Sequence, residues 1–338
     1  MTFSLFSFVM AVAWSSLFML ALYILWGSKH FVMQFGFTAV VLLIVGSLFR
    51  LLVPIELPMA YEVYDSRFYP AVYDALSGVV GTAGFTYFQL LAVVWVLGSV
   101  AIGVWFVLSY RAACRNLQGQ PIDEDSPAYT QFVRMKEELG IEVEIGLAQS
   151  AHIDSPLLLG IQVPTVYLPL LEYTTVEYQC VYRHELMHWR NKDVYIKLLV
   201  QLFCIIFWWN PLVYIFRRGV AHTLELKCDL AATQNSSLED KRVYLATIVK
   251  TLGASAGLNK QSYLASNAVV EMCATEQLSQ RFRFVVSYEH KRKWYYPVLS
   301  ALAVLAAIAL SYLFVIQPEN LPQRDVTAPV SAVVQRNV

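Results

Sequence analysis

Four stretches of this chain are too long and too apolar for the surface of a water-soluble domain, and they limit what the rest can fold into. Phe3 to Trp26, Val32 to Ile55, Tyr87 to Tyr110 and Tyr296 to Ile316 each run for more than twenty residues. About 20 predominantly apolar residues span a bilayer as a helix. Only 15% of the 338 residues are charged, against about a quarter in soluble domains. The expectation is a mainly α membrane protein with four transmembrane helices and one soluble domain. The first run has no basic residue ahead of it and no small-residue cleavage pattern, so it reads as a retained helix rather than a signal peptide. Arg50, near the far end of the second run, can snorkel to the interface.

Charge sets the orientation. Loops rich in Lys and Arg stay in the cytoplasm. Lys29 lies between the first two spans, Arg111 and Arg115 follow the third, and Lys291, Arg292 and Lys293 precede the last. The loop 56–86 carries Glu56, Glu62, Asp65 and Asp74 against Arg67. Residues 1–110 are therefore expected to hold three transmembrane helices (about 3–26, 32–55 and 87–110) with 56–86 as an external loop. Residues 111–294 form the cytosolic domain, 296–316 is the last transmembrane helix, and 317–338 is a short external tail. Both termini lie outside. Net charge is zero, which gives no reason to expect nucleic acid as a direct partner. Five scattered cysteines without a CxxC pair read as small buried hydrophobes rather than a disulfide framework.

Within 111–294 the pattern is that of an α+β domain. Ala128 to Leu139 reads as a helix with Phe132, Met135 and Leu139 on one face, stopped at Gly140. Ile141 to Ile145 alternates apolar and acidic residues and reads as a half-buried strand. Two short strands are expected at 155–160 and 164–169. Thr174 and Glu177 then have capping-box spacing and open a helix running to about Trp189. The apolar stretch Val194 to Phe216 has cations at both ends, Lys192 and Lys197 before it and Arg217 and Arg218 after it. It is interrupted at Trp208-Trp209-Asn210-Pro211, where Pro removes a helix hydrogen bond and Asn-Pro favours a turn. It reads as a bent pair of membrane-associated helices returning to its own side, with an ordinary crossing span as the alternative. Further helices are expected at 221–232 and 239–252.

The chemistry centres on His184-Glu185-Leu186-Met187-His188. On a helix, residues i and i+4 share a face, so His184 and His188 can offer two imidazole nitrogens to one metal ion. Glu185 is the candidate catalytic base, placed to hold and deprotonate a metal-bound water. A catalytic zinc takes three protein ligands. Glu225 is the leading third, with His222 as its rival. Asp229, one turn beyond Glu225, can accept the other N–H of a ligand histidine and fix its tautomer. His222 is also the candidate oxyanion donor. Cys228 lies off the Glu225 face and reads as packing. The bland alternatives are two polar residues on a surface helix for the histidines and a solvated helix face for Glu225 and Asp229. The capped helix and the same-side acidic pair favour the metal. An edge strand around 164–169 is placed to pair with an extended substrate.

The run HELMHWRNKD (184–193), the segment WWNPLVY (208–214) and ELKCD (225–229) resemble the M56 family of membrane zinc peptidases, the gluzincins of the BlaR/MecR type. SPLLLG and PTVYLP ahead of the helix look like the same pattern. The resemblance implies zinc bound by His184, His188 and Glu225, Glu185 as base, Asp229 behind the ligands, and a gluzincin-like protease domain on the cytosolic side of a bacterial inner membrane. It further implies regulated signalling proteolysis of a protein or peptide substrate, either a cytosolic transcriptional repressor or the protease itself. Antibiotic-sensing receptors of this family carry a large extracellular penicillin-binding domain after the last span. Only 22 residues follow Ile316, so sensing by acylation is not expected. Homo-oligomerisation is left open. Two other readings compete: a quality-control protease resembling the HtpX/Ste24 type, and a non-catalytic membrane signalling or scaffold protein that keeps the motif.

Overall fold

The computed structural model describes residues 5–27, 45, 46, 49, 50, 53, 61–65, 68–80, 84–161, 163–234, 236–258, 278–286 and 295–318. Most of the expected second span, the basic cluster 291–293 and most of the expected tail lie outside the described residues. The chain divides into two compact units, Met1–Ser16 with Gly46–Val96 and Ala303–Val338, and Leu17–Val45 with Leu97–Leu302. It is mainly helical, with one small mixed sheet of four strands.

Helix α1 covers Leu5–Gly27. Strand β1 (Tyr61–Asp65) and helix α2 (Phe68–Ser77) follow. Among the described residues, one helix is long and apolar enough to cross a membrane: α3, Tyr87–Asn116, whose most apolar window is not buried at all. Near the end of the chain, helix α9 (Tyr295–Leu313) runs into strand β6 (Phe314–Pro318). In the first unit β1 and β6 pair in parallel, Tyr61 opposite Phe314. Residues 56–86 contain a strand and a helix, and the last helix stops at Leu313, where backbone pairing with β1 takes over. Arg50 is buried and its guanidinium lies 4.4 Å from the Tyr312 ring centroid, so aromatic contact accompanies it where the sequence reading had it snorkelling.

The second unit holds the domain core. Its sheet has the order β2-β3-β5-β4 (Gln120–Pro121, Gly146–Ser150, Thr165–Pro169, Leu157–Leu159). β3 and β5 are parallel, and β2 and β4 run antiparallel to them at the edges. Helix α4 (Pro127–Glu138) starts at Ser126, whose side chain accepts from the Tyr129 amide, with Pro127 at the first helical position. Helix α5 (Thr175–Arg190) starts with the complete capping box of Thr174 and Glu177. Phe132 and Met135 of α4, Ile145, Leu147, Val166 and Leu168 of the sheet side, and Val181, Tyr182 and Leu186 of α5 form one core. Burying side chains of this size stabilises by about 1.5–3 kcal/mol each, and that packing fixes the rotation of α5. The expected strand 141–145 is not one. Ile141 and Ile145 pack on the core while backbone pairing begins at Gly146, opposite Thr165.

Asn191 and Lys192, the latter with φ of 58°, turn the chain out of α5. Helix α6 (Asp193–Ile206) and helix α7 (Pro211–Thr233) follow. They lie side by side as a hairpin: the Phe203 and Phe216 rings are 6.2 Å apart, and Arg217 donates to Gln201 at 3.1 Å. Asn210 caps α7 by accepting from the Leu212 amide at 3.0 Å. Helix α8 (Leu238–Leu258) and a helical stretch at 278–286 complete the unit as described.

Candidate metal centre

Two faces of α5 are assigned by packing. Val181, Tyr182 and Leu186 are in the core, so His184, Glu185 and His188 are turned toward α7 and α8 and line a cavity of about 660 Å³. The α6–α7 hairpin returns the chain and sets Glu225 across from them. His184 Nε2 lies 3.3 Å from Glu225 Oε2, and His188 Nε2 lies 3.5 Å from Glu225 Oε1. The two imidazole planes are nearly perpendicular, at 88°. Ligand atoms of His184, His188 and Glu225 all fall within 4.8 Å of one another.

These separations test whether zinc fits. Donors about 2.0–2.1 Å from a tetrahedral ion stand about 3.3 Å apart. The two Nε2–carboxylate distances, one to each oxygen of Glu225, are close to that spacing, and they exceed an ordinary N–H···O contact of about 2.9 Å. The three side chains supply two neutral nitrogens and one carboxylate oxygen, a donor set that zinc accepts. The residues present fit the ion.

The outward nitrogens are held as well. His188 Nδ1 donates to Asp193 Oδ2 at 2.8 Å, and Asp193 is buried at the start of α6. His184 Nδ1 lies 2.8 Å from the Tyr244 hydroxyl and 3.2 Å from Asp229 Oδ1. Tyr244, on α8, in turn donates to Asp229 Oδ1 at 2.6 Å. Arg281 grips both Asp229 oxygens, Nε to Oδ2 at 2.6 Å and Nη2 to Oδ1 at 2.7 Å. Partners of this kind fix the tautomer so that each Nε2 lone pair faces inward. Asp193, Tyr244 and Arg281 had no role in the sequence reading. Asp193 alone had a local signal there: an acid opening an apolar helix five residues after His188.

Charge at the centre is arranged for a cation. Burial opposes ionisation of His184, but the Asp229 and Glu225 carboxylates outweigh it and push its pKa up to about 10. Burial likewise opposes the charged form of Glu225, yet His184 holds that carboxyl well below its usual range. The same holds for Asp229, where Arg281 outweighs burial. A site that stabilises positive charge on an imidazole this strongly is suited to a divalent ion in the proton's place.

Glu185 is buried and lines the cavity beside the cluster. His222, the rival ligand and candidate oxyanion donor, turns its Nε2 to the Gln280 side-chain oxygen at 2.8 Å. It is not among the described residues that line the cavity. Cys228 is buried, with its sulfur 3.2 Å from His188 Nδ1 and 3.3 Å from Asp193 Oδ2. It forms a second potential ligand set with those two residues. Burial and the Asp193 charge push the thiol pKa up, and in this arrangement the sulfur is placed to donate to Asp193 Oδ2. The strand lining the cavity also differs from expectation. Residues 165–169 form β5, paired on both sides, so their backbone is not free; the edge beside the cavity is β4, Leu157–Leu159.

A family model described as BlaR1 peptidase M56 matches residues 78–285. The chain is 28% identical to the regulatory protein BlaR1 of Bacillus licheniformis over 154 residues, which is 45% of this chain and 25% of that protein. It is 26% identical over 159 residues to the methicillin resistance mecR1 proteins of Staphylococcus aureus and Staphylococcus epidermidis, covering 44% of this chain and 25% of each. The matched region thus spans about a quarter of the length of these curated relatives.

Proposed function

The chain belongs to the BlaR1 peptidase M56 family, and from that premise we propose that it is an integral membrane zinc metalloendopeptidase. The observation that carries this reading is the convergence of His184, His188 and Glu225 at ligand spacing, with Glu185 next to His184 on the same helix. His184, His188 and Glu225 hold the metal. When bound, zinc supplies Lewis-acid polarisation of a peptide carbonyl and makes water a better nucleophile near neutral pH. Glu185 takes the proton from the attacking water and delivers it to the leaving amine. Asp193 orients His188, and Asp229 with Tyr244 orients His184. Arg281 keeps Asp229 ionised and in place.

An extended peptide adds antiparallel to the free edge of β4, which gives main-chain binding with alternate side chains pointing into the cavity. The curated relatives are named as a regulatory protein and as methicillin resistance proteins, which favours regulated signalling cleavage, of a repressor or of the protease itself, on the cytosolic side of the membrane. The test is Glu185→Gln in purified full-length protein. Peptidase activity should fall by two to four orders of magnitude, as removal of a general base does, with zinc content unchanged. Activity equal to wild type would sink the assignment.

A further inference from the structure

The α6–α7 hairpin has a second apolar surface that its own packing does not use. Val200, Phe203, Cys204 and Phe207 of the first arm are buried, and so are Val213 and Phe216 of the second. Tyr195, Leu199 and Leu202 lie between the buried positions of α6 and are 49%, 44% and 52% exposed, with Trp209 and Ile215 exposed beyond them. No charged residue occurs between Lys197 and Arg217. A surface helix in water keeps a polar face; from Leu198 to Ile206 the polar side chain of α6 is Gln201, which Arg217 engages.

The hairpin approaches α3 closely at two glycines. A Cβ added at Gly98 would lie 2.5 Å from the Trp208 ring, and one at Gly103 would lie 3.6 Å from Ile205. Trp208, at the turn, therefore stands level with Gly98. Gly98 precedes Arg111 by 13 residues, about 20 Å along a helix. Lys197 to Trp208 is 11 residues, about 17 Å, or roughly half of a ~30 Å hydrocarbon core.

The turn also meets the requirement hydrocarbon imposes, that backbone polar groups find partners within the protein. The Asn210 amide donates to Phe207 O at 2.9 Å, the Tyr214 hydroxyl donates to Trp208 O at 2.9 Å, and the Leu212 amide is capped by Asn210. These bonds satisfy the groups that Pro211 would otherwise strand.

We infer that the α6–α7 hairpin is re-entrant: it enters the bilayer from the side of the metal centre, reaches about the midplane along α3, and leaves by the same side, with lipid acyl chains covering its outer face. Lys192, Lys197, Arg217 and Arg218 then anchor both arms at one surface. Phe106 and Tyr110 of α3, which line the cavity, stand five residues and one residue before Arg111. The cavity therefore opens at the membrane surface, and its substrates are chain segments held there. The inference rests on α3 as a span and is independent of the metal chemistry.

The test uses the full chain in sealed membrane vesicles of both orientations, with Cys114, Cys180 and Cys273 replaced by Ser. Arg115→Cys, Glu239→Cys, Trp209→Cys and Val96→Cys are introduced singly and probed with an impermeant maleimide. Positions 115 and 239 should label from one and the same side, and 209 from neither. A nitroxide at 209 should show the same oxygen-over-nickel accessibility ratio as one at 96. Labelling of 115 and 239 from opposite sides would mean that the stretch crosses, and labelling of 209 from water would mean that it lies on the surface; either overturns the inference. The thermal unfolding midpoint in detergent checks the fold of each variant, and Leu202→Cys replaces Trp209→Cys if the latter is destabilised. Failure here leaves the Glu185→Gln result standing, so the two readings fall separately.

Discussion

The two histidines of the candidate centre are supported in opposite ways. His188 leans on Asp193, five residues along the chain and at the start of the next helix. His184 leans on Tyr244, Asp229 and Arg281, which come from three other segments and lie 60, 45 and 97 residues away. The His188 side is thus set mainly by one tight turn, with the Cys228 sulfur of α7 against it, while the His184 side exists only when α5, α7, α8 and 278–286 are packed together. Damage to the first should change metal binding. Damage to the second should change folding as well.

The largest effect is expected from Arg281. Arg281→Met leaves the Asp229 carboxylate buried without its cation, and breaking one partner of a buried pair costs about 3–5 kcal/mol. Thermal unfolding of the purified chain in detergent should show a marked drop in midpoint, with zinc affinity falling too. An unchanged midpoint would break the distinction between the two sides. Asp193→Ala comes next. Removing the outer partner of a metal-bound histidine typically costs 10–100-fold in metal affinity, and competitive zinc titration should show this with a smaller loss of thermal stability than Arg281→Met.

Tyr244→Phe is milder, because Asp229 keeps both Arg281 bonds. Its hydroxyl bonds to His184 and Asp229 are both lost, each expected to cost about 0.5–1.5 kcal/mol, and zinc affinity should fall less than with Asp193→Ala because Asp229 still faces His184 Nδ1. The smallest effect belongs to Glu177, away from both sides. Burial opposes its charge, but the Lys250 ammonium and the Thr174 amide together outweigh that and hold its carboxyl below the ordinary value of 4.5. A depressed carboxyl contributes stability above its unfolded pKa and loses it as pH falls through the folded value. Glu177→Gln should therefore lower stability near neutrality by less than any variant above, and the difference from wild type should shrink as pH drops below about 4.5. A difference that grows in acid would contradict the sign.

The same contrast explains what the sequence could and could not reveal. HELMH, the Thr174–Glu177 box and the Trp208–Pro211 break act within a few residues, so helical period and turn chemistry suffice to read them. Glu225 was legible because its partners already called for a third ligand on the same side. Tyr244 and Arg281 carry no such local signal; a tyrosine on α8 and an arginine 52 residues beyond Asp229 become site residues only through packing. Strand 141–145 failed for a related reason. Alternation predicts which residues face inward, and Ile141 and Ile145 do, but pairing needs a partner strand, and β5 meets the chain only from Gly146 on. The edge strand failed because sheet order is a tertiary fact: β4 precedes β5 in sequence yet lies outside it.

Two ligand sets share His188: His184, His188 and Glu225, with nitrogen and carboxylate donors, and His188, Asp193 and Cys228, with a sulfur. Zinc K-edge absorption of the purified full-length protein separates them. The account predicts a shell of nitrogen and oxygen atoms at about 2.0–2.1 Å with no sulfur at about 2.3 Å, and loss of the zinc signal in Glu225→Ala. A sulfur shell that vanishes in Cys228→Ser, with zinc retained in Glu225→Ala, would contradict it.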